Sequence, residues 1–376
     1  MVSGPILVAA GGTGGHLFPA EALCAELLRR GRAVHLAADA RIEAFAERMP
    51  GVAVHRVRAG RFAGNPLERA RGLAEFALGV LAARALLRRL NPAAVVGFGG
   101  YPSVPTMLAA ARLGLPSLIH EQNAVLGRAN RLLAPRVRRI ATGFPVTAGL
   151  RPQDRGRAVH TGNPVRPAIL EAGKTPYRPP VPEGPLELLI LGGSQGAHVM
   201  SEIVPPALAR LPQGLRGRLR VAHQARPEDL AGAAAAYRAA GIAAEVKSFF
   251  ADVPERLMRA HLAICRAGAS TIAELAACGR PAVLVPYPYA TDDHQSANAR
   301  AFAETGAGWA APQTALDPEG LAGQLAQLFG DDAALASAAA AARRFARPEA
   351  ARHLADLTLG LMPDSECNPK EKDRAA

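Results

Sequence analysis

The sequence predicts an open α/β fold in two domains, each a parallel sheet with helices on both faces. Three observations predict it. Two glycine-rich turns lie about half a chain apart, each directly behind an apolar run and ahead of a helical stretch: Gly11-Gly12-Thr13-Gly14-Gly15-His16 behind 6–10, and Gly192-Gly193-Ser194-Gln195-Gly196-Ala197 behind 188–191. Apolar runs and helical stretches alternate along both halves, as stacked βα units require. The length of 376 residues is long for one domain and comfortable for two.

In the first half the strand-like runs are 6–10, 33–37, 52–57, 94–97, 117–120 and 139–142, with helical stretches near 18–30, 41–48, 66–90, 103–113 and 125–134. The pattern restarts at Leu186. Further runs follow at 218–223, 245–248, 262–265 and 282–285, separated by helical stretches near 197–210, 227–240, 254–260, 270–278 and 294–305. The proline-rich, aperiodic stretch 171–185 reads as a connector. The boundary is expected at Gly162-Asn163-Pro164, giving a first domain of 1–163 and a second of 164–362. Ala-rich helices are expected near 317–329, 332–345 and 348–361, the last packing back on the first domain, and the polar tail 363–376 is expected to be disordered.

Composition narrows the function. The hydrophobic share of 49% supplies two cores. Four cysteines (Cys24, Cys265, Cys278, Cys367) without a C-x-x-C pair argue against a disulfide framework or zinc site and fit a reducing compartment. No signal peptide is read at Met1-Val2-Ser3-Gly4-Pro5, and no apolar run approaches the roughly 20 residues of a spanning helix, so a soluble or peripheral protein is expected. The net charge of +12 is uneven: residues 1–166 hold 23 basic residues, all Arg, against 9 acidic ones, and the remainder holds 21 against 23. That asymmetry points the first domain at an anionic surface or substrate.

The glycine turns carry the chemistry. Glycine admits a tight turn and a close ligand, and the following helix start offers free N–H groups and a positive dipole end to an anion. The first turn is not G-x-G-x-x-G, and only Asp39 stands where a ribose-binding acid would be needed for a nicotinamide site. No G-x-x-x-x-G-K-[ST] occurs, which excludes a P-loop NTPase. Further motifs follow in order: Gly97-Phe98-Gly99-Gly100-Tyr101-Pro102-Ser103, His120-Glu121-Gln122-Asn123, Gly162-Asn163-Pro164-Val165-Arg166, Arg266-Ala267-Gly268-Ala269-Ser270-Thr271-Ile272-Ala273-Glu274 and Asp292-Asp293-His294-Gln295-Ser296-Ala297-Asn298.

Together, over nearly the whole chain, these motifs resemble the bacterial cell-wall glycosyltransferases of family 28, the MurG family. The resemblance implies the GT-B fold, two Rossmann-like domains facing a deep cleft. It implies an inverting, metal-independent transfer of N-acetylglucosamine from UDP-N-acetylglucosamine to the C4 hydroxyl of an undecaprenyl-pyrophosphoryl muramyl-pentapeptide, lipid I becoming lipid II. It implies no cofactor and no metal. The location implied is peripheral, on the cytoplasmic face of the plasma (inner) membrane, with the lipid-linked acceptor, an anionic membrane surface and other cell-wall synthesis proteins as partners. One departure from the family pattern is His223-Gln224-Ala225-Arg226-Pro227, which lacks the usual glycine turn.

The chain's own chemistry fits. Such a transfer needs a stabilised leaving diphosphate, a deprotonated acceptor hydroxyl and a gripped donor. No Asp-x-Asp pair is present, so helix N-termini and loop amides must meet the diphosphate. With the resemblance, Glu274 reads as the ribose-binding carboxylate; without it, as a helix-start glutamate in a capping box with Thr271. Ala269, Ser270, Thr271, Ile272 and Ala273 line the donor pocket, Ser194 contacts the diphosphate, and Phe250 brings its backbone to the uracil edge. Gln295, supported by Asn298, marks the sugar hydroxyls, and Arg166 reaches the donor from the linker. Thr13, Gly14 and Gly15 present amides to the lipid pyrophosphate or the donor sugar, Asn123 holds the transferred sugar, and Gly99, Gly100 and Tyr101 contact the acceptor. An imidazole is the side chain suited to proton transfer near neutrality, so His16 is a base candidate, as is Glu121, which alternatively orients His16. Which of the two takes the proton stays open at this level.

Leu73, Phe76, Ala77, Val80 and Leu81 recur at helical spacing beside Arg69, Arg71, Arg84, Arg88 and Arg89. This reads either as a core-facing helix or as one lying on anionic lipid. The competing functions are another GT-B transferase with a lipid or natural-product acceptor, a non-enzymatic sugar-nucleotide-binding module, and a nucleic-acid binder. The acceptor-side motifs disfavour the first two, and the 5% aromatic content disfavours the third, so no nucleic-acid partner is expected.

Overall fold

The computed structural model describes residues 4–11, 14–39, 49–60, 65–193 and 196–362. Thr13, Ser194, the helical stretch expected at 41–48 and the tail from 363 lie outside them. The chain forms two compact units: one runs to Pro164 and takes the chain back from Glu349, and the other is Val165–Pro348.

The first unit holds seven strands: Ile6–Ala9 (β1), Val34–Ala38 (β2), Ala53–Arg56 (β3), Ala94–Gly97 (β4), Ser117–Glu121 (β5), Arg139–Thr142 (β6) and Ala158–His160 (β7). All pair in parallel, in the order β3-β2-β1-β4-β5-β6-β7. A parallel sheet buries both faces at its centre, which is why β1 and β4 are continuously apolar and buried throughout. Ile6 and Val8 pack with Leu36, Val96 and Leu118 on one face. Leu7 and Ala9 pack with Val95, Ile119 and Ile140 on the other. The helix Ala350–Leu359 returns to the first face, where Leu354 and Ala355 join that cluster.

The helix Pro66–Leu90 covers part of the second face. Asn65 starts it with a capping box, accepting from the Glu68 N–H while the Glu68 carboxylate accepts from its own, a device that contributes about 1 kcal/mol. Ala83 and Leu87 enter the core, and at Gly79 a side chain would run into the Arg58 carbonyl. The expected apolar stripe therefore divides. Phe76 and Val80 pack partly buried against the core, whereas Leu73, Ala77 and Leu81 stay exposed beside Leu67 and Leu78.

The second unit repeats the plan with Leu186–Leu191 (β8), Leu219–Gln224 (β9), Ala243–Lys247 (β10), Leu262–Cys265 (β11), Ala282–Leu284 (β12) and Gly308–Ala310 (β13). Its parallel order is β10-β9-β8-β11-β12-β13. The core gathers Leu188, Ile190, Val221, Ile264 and Val283 under helices His198–Ala209 and Pro318–Phe329.

Both sheets thus share the doubly wound 3-2-1-4-5 order. Its switch point lies where the first and fourth strands run side by side, and loops at their C-terminal ends form the ligand crevice. Ala9 stands opposite Gly97 in the first sheet, and Leu191 opposite Cys265 in the second. Each glycine turn therefore leaves its sheet beside a second motif loop.

Candidate functional site

In the first unit the turn behind β1 feeds the helix Gly14–Arg29, so His16 stands in its first turn, half-buried. The neighbouring loop behind β4 packs against it. A Cβ on Gly11 would lie 2.6 Å from Pro102 Cβ. Gly99 and Gly100 take φ of +73° and +67°, which glycine adopts at little cost. A Cβ on Gly100 would stand 3.1 Å from His16 Cδ2 and 3.3 Å from Nε2, so glycine leaves the space beside that ring edge open. Tyr101 follows, its ring 6.1 Å from that of Phe76, and desolvation pushes its hydroxyl pKa up to about 12, which keeps it a neutral donor.

The four residues at the end of β5 divide into two networks. His16 Nδ1 lies 2.8 Å from Gln122 Oε1. Gln122 Nε2 lies 3.0 Å from His120 Nδ1 and 2.9 Å from the His120 carbonyl, and His120 Nε2 lies 3.0 Å from the Gly162 carbonyl. Gln122 and His120 are both fully buried, and burial pushes the His120 imidazole pKa down to about 4.

Glu121 belongs to the other network. Its Oε1 accepts from the Asn123 N–H and side chain at 3.0 and 3.1 Å, and its Oε2 from the Gly127 N–H and Asn130 Nδ2 at 2.9 and 2.8 Å. The expectation that Glu121 orients His16 is corrected here. Its two oxygens accept from four N–H groups of Asn123, Gly127 and the helical residue Asn130, and Gln122 is the side chain that reaches His16. Asn123 is tied to Glu121, so that carboxylate shapes the loop which presents Asn123.

In the second unit the turn behind β8 is braced from outside. At Gly196, φ is +68° and a Cβ would meet the Arg226 side chain at 2.5 Å. Arg226 in turn pairs with Asp229, which also accepts from His198. The segment that departs from the family pattern therefore packs on the glycine turn itself.

Behind β11, the helix Ala269–Cys278 starts at Gly268 with no side-chain cap at the switch point, and an uncapped helix start is the kind of place that can receive an anion. Ala269 and Ile272 are buried, and Ser270, Thr271 and Ala273 are half-buried. Two buried side chains hold the flanking loops. Arg266 Nη1 donates to the Val285 and Pro286 carbonyls, both at 3.1 Å, and Asn298 Nδ2 donates to the Ala267 carbonyl at 3.0 Å.

Glu274 lies in the second turn of that helix, past capping range, and Arg166 Nε and Nη2 donate to its Oε1 at 3.0 and 2.8 Å. The capping-box alternative with Thr271 is not realised. Arg166 begins the helix Pro167–Ala172, which packs on Ala269–Cys278 and so fixes the pair. Gln295 Oε1 accepts from the Tyr287 N–H at 2.9 Å. Phe250 is buried with the Arg256 guanidinium 4.0 Å above its ring.

Residues 6–142 match the glycosyltransferase family 28 N-terminal domain, and residues 187–354 the family 28 C-terminal domain. The chain is 54% identical over 378 residues, all of both chains, to the UDP-N-acetylglucosamine–N-acetylmuramyl-(pentapeptide) pyrophosphoryl-undecaprenol N-acetylglucosamine transferase of Rhodospirillum centenum. It is 54% identical to the transferase of the same name from Paramagnetospirillum magneticum, over 96% of this chain and 97% of the other. The crystal structure of Acinetobacter baumannii MurG superposes with a TM-score of 0.76 at 32% identity, covering 95% of this chain and 99% of that one.

Proposed function

The chain belongs to glycosyltransferase family 28, and from that premise we propose how its two units carry out the family's reaction. It transfers N-acetylglucosamine from the UDP-sugar to lipid I, forming lipid II in peptidoglycan synthesis. The observation that carries this is identity of 54% along the full length to transferases of that name.

In our reading the second unit takes the donor. The uncapped first turn at Ala269–Thr271 and the turn at Gly192–Gly193 meet the diphosphate with backbone N–H groups, as helix starts do for anions. Ser194 adds its hydroxyl or amide. Glu274 accepts the ribose hydroxyls while Arg166 holds it in place, Phe250 offers its backbone to the uracil, and Gln295 turns from the Tyr287 amide to the sugar hydroxyls.

The first unit takes the acceptor. Thr13, Gly14 and Gly15 offer amides to its pyrophosphate or to the sugar, with Asn123 on the transferred sugar and Tyr101 on the acceptor. His16 Nε2 receives the proton of the C4 hydroxyl. The oxygen then bonds to the sugar C1 from the face opposite the leaving group, and the C1–O bond breaks with its electron pair left on the diphosphate. The configuration at C1 inverts.

The solvent-facing side of the helix Pro66–Leu90 supports a peripheral seat on the membrane. Leu67, Leu73, Leu78 and Leu81 are all more than half exposed, and exposed arginines 69, 71, 84, 88 and 89 flank them. An apolar stripe bordered by arginines suits the interface of anionic lipid, and the seat we propose is the cytoplasmic face. No helix among the described residues is long and apolar enough to cross a membrane.

Incubating the purified chain with UDP-N-acetylglucosamine and a short-chain lipid I analogue in EDTA tests this reading. Release of UDP is expected. Turnover with diacylglycerol and none with the lipid I analogue would refute it.

A further inference from the structure

The hydrogen bonds behind His16 decide which of its nitrogens is the base. Two acceptor-only groups anchor the chain of contacts. The His120 carbonyl, 2.9 Å from one end of the Gln122 amide, can only accept, so that end is the NH2 group and the other end is the oxygen. The Gly162 carbonyl, 3.0 Å from His120 Nε2, can also only accept, so His120 carries its proton on Nε2. Its Nδ1 is then a lone pair, which is what the Gln122 NH2 group meets at 3.0 Å. Both ends of the chain agree on the direction of every bond.

The Gln122 oxygen therefore faces His16 Nδ1 at 2.8 Å, and Nδ1 must donate. A neutral imidazole has one N–H, so the lone pair of His16 sits on Nε2. Nε2 borders the open space that Gly100 leaves beside the ring, where a Cβ would come within 3.3 Å. His120 cannot drain a proton from the relay, because burial keeps it neutral with its pKa pushed down to about 4.

We propose that Gln122 is a positioning residue that locks His16 in the Nδ1–H tautomer, with buried His120 and the Gly162 carbonyl as its anchor, so that Nε2 is the proton-accepting atom. A carboxylate in the corresponding place would add a counter-charge to the imidazolium; a neutral amide sets orientation and tautomer alone. The inference rests on His16 being the base, and its test separates the two.

The experiment uses the full chain with nitrogen-15 in its histidine rings, the His16 signals being those lost in His16→Ala. Above the imidazole titration range, wild-type His16 is expected to show a protonated Nδ1 and a bare Nε2. In Gln122→Met, of similar length and without the amide, the two tautomers mix. Its kcat falls at least about tenfold, while KM for the UDP-sugar and for a short-chain lipid I analogue stays within about twofold. A wild-type spectrum with the proton on Nε2 overturns the proposal, as does a Gln122→Met enzyme with wild-type kcat. Should Gln122→Met fail to fold, the wild-type spectrum decides by itself. If His16→Ala keeps the wild-type kcat, the assignment of the base is what fails, and the spectrum still reports the tautomer.

Discussion

Arg166 holds Glu274 by one oxygen: its Nε and Nη2 both donate to Oε1, at 3.0 and 2.8 Å, across the packed helices Pro167–Ala172 and Ala269–Cys278. Both side chains are mostly buried, at 21% and 14% exposure, so the carboxylate is aimed before any ligand arrives. Glu274→Ala is expected to raise KM for the UDP-sugar at least about tenfold, the scale of lost hydrogen bonds to a charged group, with a smaller change in kcat. Arg166→Ala leaves the carboxylate in place but unaimed and should raise the same KM less. An unchanged donor KM in Glu274→Ala would remove it from the donor site.

His16 and Gly100 give the opposite kinetic pattern. Removing a general base costs about 10²–10⁴-fold in rate, so His16→Ala should lose kcat on that scale with the donor KM kept. In Gly100→Ala a methyl group lands 3.3 Å from His16 Nε2. It also forces a side chain into φ of +67° with ψ of 155°, backbone that essentially only glycine adopts, at a cost of about 1–3 kcal/mol of stability. The expected result is a slightly lower melting temperature and a large loss of kcat. A Gly100→Ala enzyme with wild-type kcat would show that the acceptor hydroxyl approaches elsewhere.

How much of this could be read in advance differs by element. Apolar runs such as Ile6–Ala9 and Leu188–Leu191 announce themselves, because a parallel sheet buries both faces. The edge strands Ala158–His160 and Gly308–Ala310 do not: three residues are too few to show a period. At Ala243–Lys247 the leading alanines carry no strand preference, so the expected 245–248 begins late. The first helix starts at Gly14 and not near 18, since glycines that read as loop form its first turn. Within the site, the charge of Glu121 drew a catalytic role, and its partners in the fold are Asn123, Gly127 and Asn130. Gln122 drew none, because a neutral amide gains its meaning only from His16, 106 residues away in the sequence.

Two buried histidines set the acid limit of stability. Burial lowers the pKa of His120 in the first unit, and of His223 in the second, from 6.5 to about 4. The unfolded chain therefore binds more protons than the folded one between those values. Above about pH 6.5 both states are neutral and nothing is lost; as pH falls from 6.5 towards 4, each histidine removes up to about 3 kcal/mol. The melting temperature should drop across this window, ahead of carboxylate protonation. Replacing His223 and its partner Tyr237 (2.9 Å apart) together by Leu and Phe should flatten the dependence. A profile flat from 6.5 to 4 in the wild type would contradict neutral burial of both rings.

The helix Pro66–Leu90 turns two faces to different solvents, and they can be separated. Ala83 and Leu87 serve the core, while Leu78 and Leu81 are 51% and 60% exposed between arginines. Converting Arg84, Arg88 and Arg89 together to Gln should weaken binding to anionic vesicles roughly a hundredfold at low salt, and the loss should shrink as salt screens the charges. Leu78→Ser with Leu81→Ser should weaken binding at every salt concentration, since it removes buried apolar area. Neither set touches His16 or Glu274, so turnover of a short-chain, water-soluble acceptor should stay at the wild-type rate while turnover on vesicle-borne acceptor falls. Unaltered vesicle binding in both variants would place the membrane contact on another surface, and a fall in turnover of the soluble acceptor would assign the helix to the catalytic fold.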